Sequence, residues 1–222
     1  MEKRKVTNKE NDYSYEMYMS DERWSSYFRQ IDEIRKAEKA GNRTLNVLVV
    51  GVGDGFIPML IRFFCRCTIT TFDYDEKLAP DIVGDILELS QCVKERFDVI
   101  LCCQVLEHIP YTEFRKALAQ LEACLKDDGI CIMSLPDSGC DLGGGFITPV
   151  WGICMRLRFC KWWKKDWIYN GEHYWEINAA RLYPLRKIIK EIKKFFVVNK
   201  NYLVPNNRYH RFFILSKREA LN

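Results

Sequence analysis

Apolar residues recur along this chain at two spacings, and the alternation between them outlines a fold. A capping serine, Ser20, and two first-turn acids, Asp21 and Glu22, open a stretch where Trp24, Tyr27, Phe28, Ile31 and Ile34 fall at helical spacing before Gly41. This predicts an amphipathic helix over 21–40. A β-branched run, LNVLVV at 45–50, then reaches a glycine cluster, and IPMLIRFF follows as a helix. TITTF (68–72) reads as a second strand, DIV (81–83) as a brief third, and FDVILCC (97–103) as a fourth. The fourth is apolar almost throughout, as strands covered on both faces are.

From Tyr111 to Lys126 the period is helical again, with Phe114, Leu118, Leu121 and Leu125 on one stripe. Asp128-Gly129 turns the chain into ICIMSLP, a fifth strand. The pattern breaks at Pro136, and 136–178 is rich in glycine, tryptophan and cations without a clean period. A helix is expected near Asn178–Lys194, and the run 186–196 puts Ile188, Ile189, Ile192 and Phe196 on one side. YLV (202–204), a PNN turn and YHRFFIL (209–215) read as an antiparallel pair closing the sheet. Repeated strand–helix units imply a doubly wound α/β fold with a mostly parallel sheet. The expected organisation is a loose arm over 1–20 and one domain over 21–222, with a cap inserted after strand 5 at about 136–178.

Composition agrees with one sizeable core: 222 residues, of which 48% are hydrophobic and 14% aromatic. The net charge of +4 is too mild for a dedicated nucleic-acid binder, so no nucleic acid is expected as a partner. No apolar run approaches the roughly 20 residues of a spanning helix, and the basic N-terminus lacks a signal peptide's apolar stretch. A cytoplasmic protein is the expectation. Ten cysteines fall largely in expected strands and helices, where free thiols act as small hydrophobes. Cys65 and Cys67 form a lone CxC without a matching pair, so no metal is expected there.

Candidate chemistry gathers at three expected strand ends. In VLVVGVGDG (47–55) a strand runs into Gly51, Gly53 and Gly55 and then a helix, a place for close approach of backbone to an anionic ligand. The spacing is G-x-G-x-G and not the G-x-G-x-x-G of dinucleotide enzymes, which disfavours a dehydrogenase. Asp73 lies 18 positions after Gly55 at the end of the second strand, where a carboxylate can accept from a ribose diol. Gly84-Asp85-Ile86 ends the third, with an acceptor for an exocyclic amine and an apolar neighbour for a purine face. Together these suggest an adenosine-containing cofactor.

VLVVGVGDGF, TTFDYDEKLAPDIVGDI, FDVILCCQVLEHIP and DGICIMSLP, in that order over about 45–136, resemble the class I S-adenosylmethionine-dependent methyltransferases of the type-11 group. The resemblance implies a Rossmann-like, seven-stranded sheet with an antiparallel last strand, and S-adenosyl-L-methionine as cofactor. It implies that Gly51, Gly53 and Gly55 wrap the methionine part, and that Asp73 holds the ribose. Tyr74 would then pack near the adenine, Asp85 bind its amine, Ile86 lie against the ring and Gln104 face the methionine moiety. The family often has an acid two places before the first glycine; here Val49 stands in its place.

A hydroxyl acceptor needs its proton removed, so histidines are the candidate catalytic residues. His108 in VLEHIP follows the fourth strand, and His173 lies beside Glu172 and Glu176 at the return from the cap; His210 in the closing pair reads as structural. GEHYWEIN and PNNRYHRFFIL resemble methyltransferases of bacterial surface-polysaccharide synthesis more loosely. The first reading is O-methylation of a sugar or glycan intermediate. A quinone or lipid acceptor, or a non-catalytic S-adenosylmethionine-binding module permitted by Val49, stays open. Trp151, Trp162, Trp163 and Trp167 stand among Arg156, Arg158, Lys161, Lys164 and Lys165. Such a segment, 151–169, suits a nucleotide- or lipid-linked sugar, peripheral contact with the inner membrane face, or a plain lid.

Overall fold

In the computed structural model, residues 20–147, 152–166 and 169–218 are described. Residues 1–19 of the expected arm over 1–20, Trp151 and Trp167 lie outside them. The Ser20 hydroxyl accepts from the Arg23 N–H at 3.3 Å and starts helix α1 (Asp21–Gly41), which runs through Gly41 and ends on Asn42 in the left-handed region. α1 departs from its expected stripe. Phe28 is 64% exposed, while Ser26, Gln30 and Glu33 are buried beside Ile34. Two of these polar residues find partners on the closing strands, since Asn207 donates to the Ser26 hydroxyl at 3.1 Å and the Tyr202 hydroxyl to Glu33 at 3.4 Å. Their hydrogen bonds make that face buriable where apolar spacing alone points elsewhere.

Strands β1 (Leu45–Val50), β2 (Cys67–Asp73), β3 (Ile82–Val83), β4 (Phe97–Cys103), β5 (Leu125–Pro136), β8 (Phe196–Val204) and β9 (Asn207–Lys217) form one sheet in the order β3-β2-β1-β4-β5-β9-β8. The first five are parallel, and β9 runs antiparallel to both neighbours. Strand residues alternate between two cores. Val47, Val49, Val99 and Leu101 meet Ile34 of α1 and Ile57 and Ile61 of α2 (Phe56–Phe64). Leu48, Val50, Ile100 and Cys102 meet α4 (Phe114–Cys124) and α5 (Leu185–Ile192) on the other face; α3 (Leu89–Cys92) is a single turn. Burial on both faces is why these strands read as unbroken apolar runs.

Two expected helices are shorter. The 111–126 helix is a 3₁₀ turn at Tyr111–Glu113 followed by α4, and Leu125 already pairs with Phe97 as strand. A register shift between Phe97 and Val99 absorbs Asp127-Asp128-Gly129, and a side chain at Gly129 would stand 3.0 Å from the carbonyls of Phe97 and Asp98. The 178–194 helix begins only at Leu185. Pro184 precedes it and disfavours helix at Tyr183, and Asn178 has φ 60° with its side-chain oxygen accepting from the Leu185 N–H at 3.0 Å. Phe196 belongs to β8, though still buried.

After β5 the chain forms an antiparallel hairpin, β6 (Cys140–Ile147) and β7 (Gly152–Phe159), a second sheet that the aperiodic sequence did not announce. Its base is tied down by Asp137, fully buried, which accepts from Arg158 at 2.9 Å, Arg211 at 2.7 Å and Asn178 at 3.0 Å. Among the described residues no helix is long and apolar enough to cross a membrane.

Candidate functional site

Strand order reverses at β1, with β2 on one side and β4 on the other, and the crevice at their carboxyl ends is where open α/β sheets bind ligands. There Gly51, Gly53 and Gly55 take φ of 85°, 56° and 77°, a path costly for other residues. A Cβ on Gly51 would lie 2.6 Å from a Val105 methyl, so the loop after β4 packs directly on this turn. Around Gly53 and Gly55 no atom stands within 4 Å of such a Cβ, leaving an open cradle before α2.

Asp73 ends β2 at 7% exposure, and its two oxygens accept from the Val52 N–H at 2.7 Å and the Asp75 N–H at 3.0 Å. Each oxygen keeps a second lone-pair site, so the carboxylate that shapes the glycine turn also fits a diol. Tyr74 is 67% exposed beside it. Asp85 accepts from the Leu87 N–H at 2.9 Å and caps a 3₁₀ turn, and Ile86 is buried with Leu87 and Leu89 in the core on the α4 side. Gln104, at φ 56°, donates its side-chain amide to the Ser134 hydroxyl at 3.1 Å, locking the ends of β4 and β5 together. A diol acceptor, an amide and an open glycine cradle at one crevice fit an adenosyl cofactor.

His108 and His173 meet at the edge of this crevice, ring centroids 5.0 Å apart. The loop Leu106–His108 is stitched to the return from the hairpin: the Tyr174 N–H donates to the Glu107 carbonyl at 2.8 Å and the Trp175 indole to the Ile109 carbonyl at 3.1 Å. His108 Nδ1 lies 2.9 Å from the Glu172 carbonyl. A carbonyl only accepts, so Nδ1 carries the proton and Nε2 the lone pair. His173 Nδ1 lies 2.8 Å from Glu176 Oε1, which also accepts from the Tyr209 hydroxyl at 2.7 Å; Ser138 donates to Glu176 Oε2. Glu176 therefore orients His173, whereas Glu172 serves His108 through its backbone.

Burial lowers the His108 pKa below the ordinary imidazole value, and the nearby Asp73 charge opposes it. Burial pulls His173 down too, but Glu176, Glu107 and Glu172 outweigh it and leave that pKa raised. Glu107, between the histidines and the core, is fully buried, and neither carboxylate oxygen has a hydrogen-bond partner. Burial pushes its pKa up to about 8, with His173 pulling the other way. Sequence reasoning passed over Glu107 and Tyr209. The signal for Glu107 was an acid inside the apolar VLEHIP with no cation at helical spacing. His210 sits in β9 opposite Pro136, its pKa pushed down to about 4 by burial, then by Arg23 and His173. Trp162 and Trp163, at 71% and 54% exposure, face outward and do not cover the sheet.

A family model described as a methyltransferase domain matches residues 21–185. Among solved structures, the N-methyltransferase NodS of Bradyrhizobium japonicum, bound to S-adenosylhomocysteine, is 13% identical at TM-score 0.56, covering 90% of this chain and 94% of its own. A methyltransferase of Clostridium acetobutylicum is 11% identical at TM-score 0.58, covering 92% and 95%. The 1,6-didemethyltoxoflavin-N1-methyltransferase of Burkholderia thailandensis is 16% identical at TM-score 0.55, covering 88% and 85%. No curated protein matches the sequence significantly.

Proposed function

The chain belongs to the methyltransferase-domain family and is an S-adenosylmethionine-dependent methyltransferase; from that premise we propose that it methylates a hydroxyl of a small molecule, a sugar or glycan intermediate. The glycine cradle Gly51, Gly53 and Gly55 holds the methionine part with Gln104, Asp73 takes the ribose hydroxyls, and Tyr74, Asp85 and Ile86 surround the adenine. When bound, the cofactor supplies a methyl group on a sulfonium centre. The chain's own task is to bring an acceptor oxygen into line and deal with its proton.

The observation that carries this reading is His173 held by Glu176 and Tyr209 beside His108. An imidazole fixed by a carboxylate on one nitrogen is the arrangement a hydroxyl acceptor requires, because alcohols are poor nucleophiles until deprotonated. The exposed Trp162 and Trp163 with Lys161, Lys164 and Lys165 fit an acceptor carrying phosphate, as nucleotide- or lipid-linked sugars do, presented at the inner membrane face. The free thiols of the described residues suit a reducing cytoplasm.

The test is S-adenosylhomocysteine release across matched hydroxyl and amine acceptors, with product mass spectrometry. Turnover on a hydroxyl should fall about 10²–10⁴-fold in His173→Ala while S-adenosylmethionine affinity stays within twofold. Turnover on amines only, or an unaffected His173→Ala, overturns the reading.

A further inference from the structure

Glu107, His108 and His173 form the one group of three metal-capable side chains brought together among the described residues, each offering a ligand atom within 4.8 Å of the others. Ligand atoms around a tetrahedral ion at about 2.0–2.2 Å stand about 3.3–3.6 Å apart, a contraction that side-chain rotation supplies. Both imidazoles are already committed in the way metal ligands are. His108 Nδ1 is tied to a backbone carbonyl and His173 Nδ1 to the Glu176 carboxylate, leaving Nε2 as the lone-pair atom of each ring. Glu176 is fixed in turn by Ser138 and Tyr209.

The independent observation is Glu107. Its carboxylate is buried completely, and neither oxygen meets a donor, while almost every other buried polar side-chain atom among the described residues is satisfied. Buried carboxylates are paired, protonated or bound to a cation. This one lies within reach of two imidazoles and has no lysine or arginine partner.

We propose that Glu107, His108 and His173 bind a divalent transition-metal ion of the zinc type. The donor set, two imidazoles and one carboxylate, suits zinc, cobalt or manganese better than magnesium. Three protein ligands leave a coordination position open toward the crevice, and the acceptor oxygen is its occupant. The inference rests on the hydroxyl reading and changes how the proton is handled. The cation lowers the pKa of the acceptor hydroxyl, and that proton leaves to water. As the new C–O bond forms, the C–S bond breaks and its electron pair stays on sulfur. His173 and His108 are then ligands, and Glu176 is a positioning residue for His173.

Full-length protein, freed of metal with a chelator and dialysed, is titrated with Co²⁺ by calorimetry and visible absorption. One equivalent should bind with tetrahedral d–d bands and be displaced by Zn²⁺. Glu107→Gln keeps the shape of the side chain and should fold, and it should weaken Co²⁺ binding at least tenfold; His108→Ala, at the rim of the crevice, should do the same. Wild-type protein that takes up no Co²⁺, or variants that bind it as wild type does, overturns the site. S-adenosylmethionine binding is measured in parallel. Cofactor binding without metal uptake sinks this inference alone, and metal uptake with turnover on amine acceptors only sinks the hydroxyl reading and leaves the metal site standing.

Discussion

The Trp175 indole donates to the Ile109 carbonyl at 3.1 Å, and this bond carries the return from the hairpin onto the loop that follows β4. Both of its ends are buried. Trp175 is fully buried, edge-on to Tyr111 at 5.1 Å and to Phe114 at 4.9 Å. Two residues before it stands His173, and one before Ile109 stands His108. The histidine pair is thus held in place from behind by the packing of this tryptophan.

Trp175→Phe should keep most of the ring burial but leave the Ile109 carbonyl unpaired, costing about 1–3 kcal/mol. Trp175→Ala adds a cavity and should cost about 3–5 kcal/mol. Denaturant melts measure both. Trp175→Phe should also lower turnover more than cofactor affinity, and equal losses in both would show that the tryptophan does not position the histidines.

Asp73 fixes the glycine turn through the Val52 N–H, and in the proposed reading it also meets the cofactor. Asp73→Ala should weaken S-adenosylmethionine at least tenfold, since charge-assisted hydrogen bonds are worth about 1.5–3 kcal/mol. Gly53→Val, at φ 56° with open space around it, should fold with modest loss and still lose the cofactor. Calorimetry with the cofactor reads both, and normal affinity in either variant removes that residue from the site.

Replacing Lys161, Lys164 and Lys165 with glutamine should raise the acceptor KM severalfold at unchanged cofactor affinity. Vesicle flotation divides the uses of this surface. Salt-sensitive binding to anionic vesicles, lost in the triple variant, marks membrane contact. No vesicle binding with unchanged KM leaves this surface without a charge-recognising role.

Asp141 on β6 is clamped by Arg208 of β9 at 2.9 and 3.0 Å and by Arg158 of β7 at 2.8 Å, with the Asp137 carboxylate beyond Arg158. The hydrogen bond from Arg208 leads in holding its pKa down to about 2, and the Arg158 bond adds to it against burial. A depressed acid contributes stability above its unfolded pKa and loses it as pH falls through the folded one. Wild type should therefore exceed Asp141→Asn by about 1–2 kcal/mol at pH 6, after allowing for solvent screening. The gap should close between pH 4 and 2 in denaturant melts, and a gap that persists at pH 2 would exclude the carboxylate as its source.

The parallel half of the sheet was legible because its residues obey local rules. Val47 to Val50 alternate between two apolar faces, and Gly51, Gly53, Asp73 and Asp85 fall at strand ends, where motif spacing finds them. The acceptor side was less legible because its order comes from partners far along the chain. Glu107 meets His173 only through the Tyr174 and Trp175 bonds, and Tyr209 reaches Glu176 from β9. Asn178 looked helical by its apolar neighbours, yet its side chain bonds Asp137 and the Leu185 N–H, and that demand outweighs propensity. The hairpin stayed hidden because three glycines in β6 carry no side-chain period.

The sheet order also divides labour along the gene. Everything assigned to the methyl donor comes from residues 51–104, whereas Ser138, His173, Glu176 and Tyr209 come from 138–209, joined to the first set at Glu107–Ile109. In the proposed reading, substitutions in the later stretch should change acceptor use and leave donor affinity unchanged. Donor and acceptor are thus served by separate stretches of this chain, and the short loop after β4 is where they join.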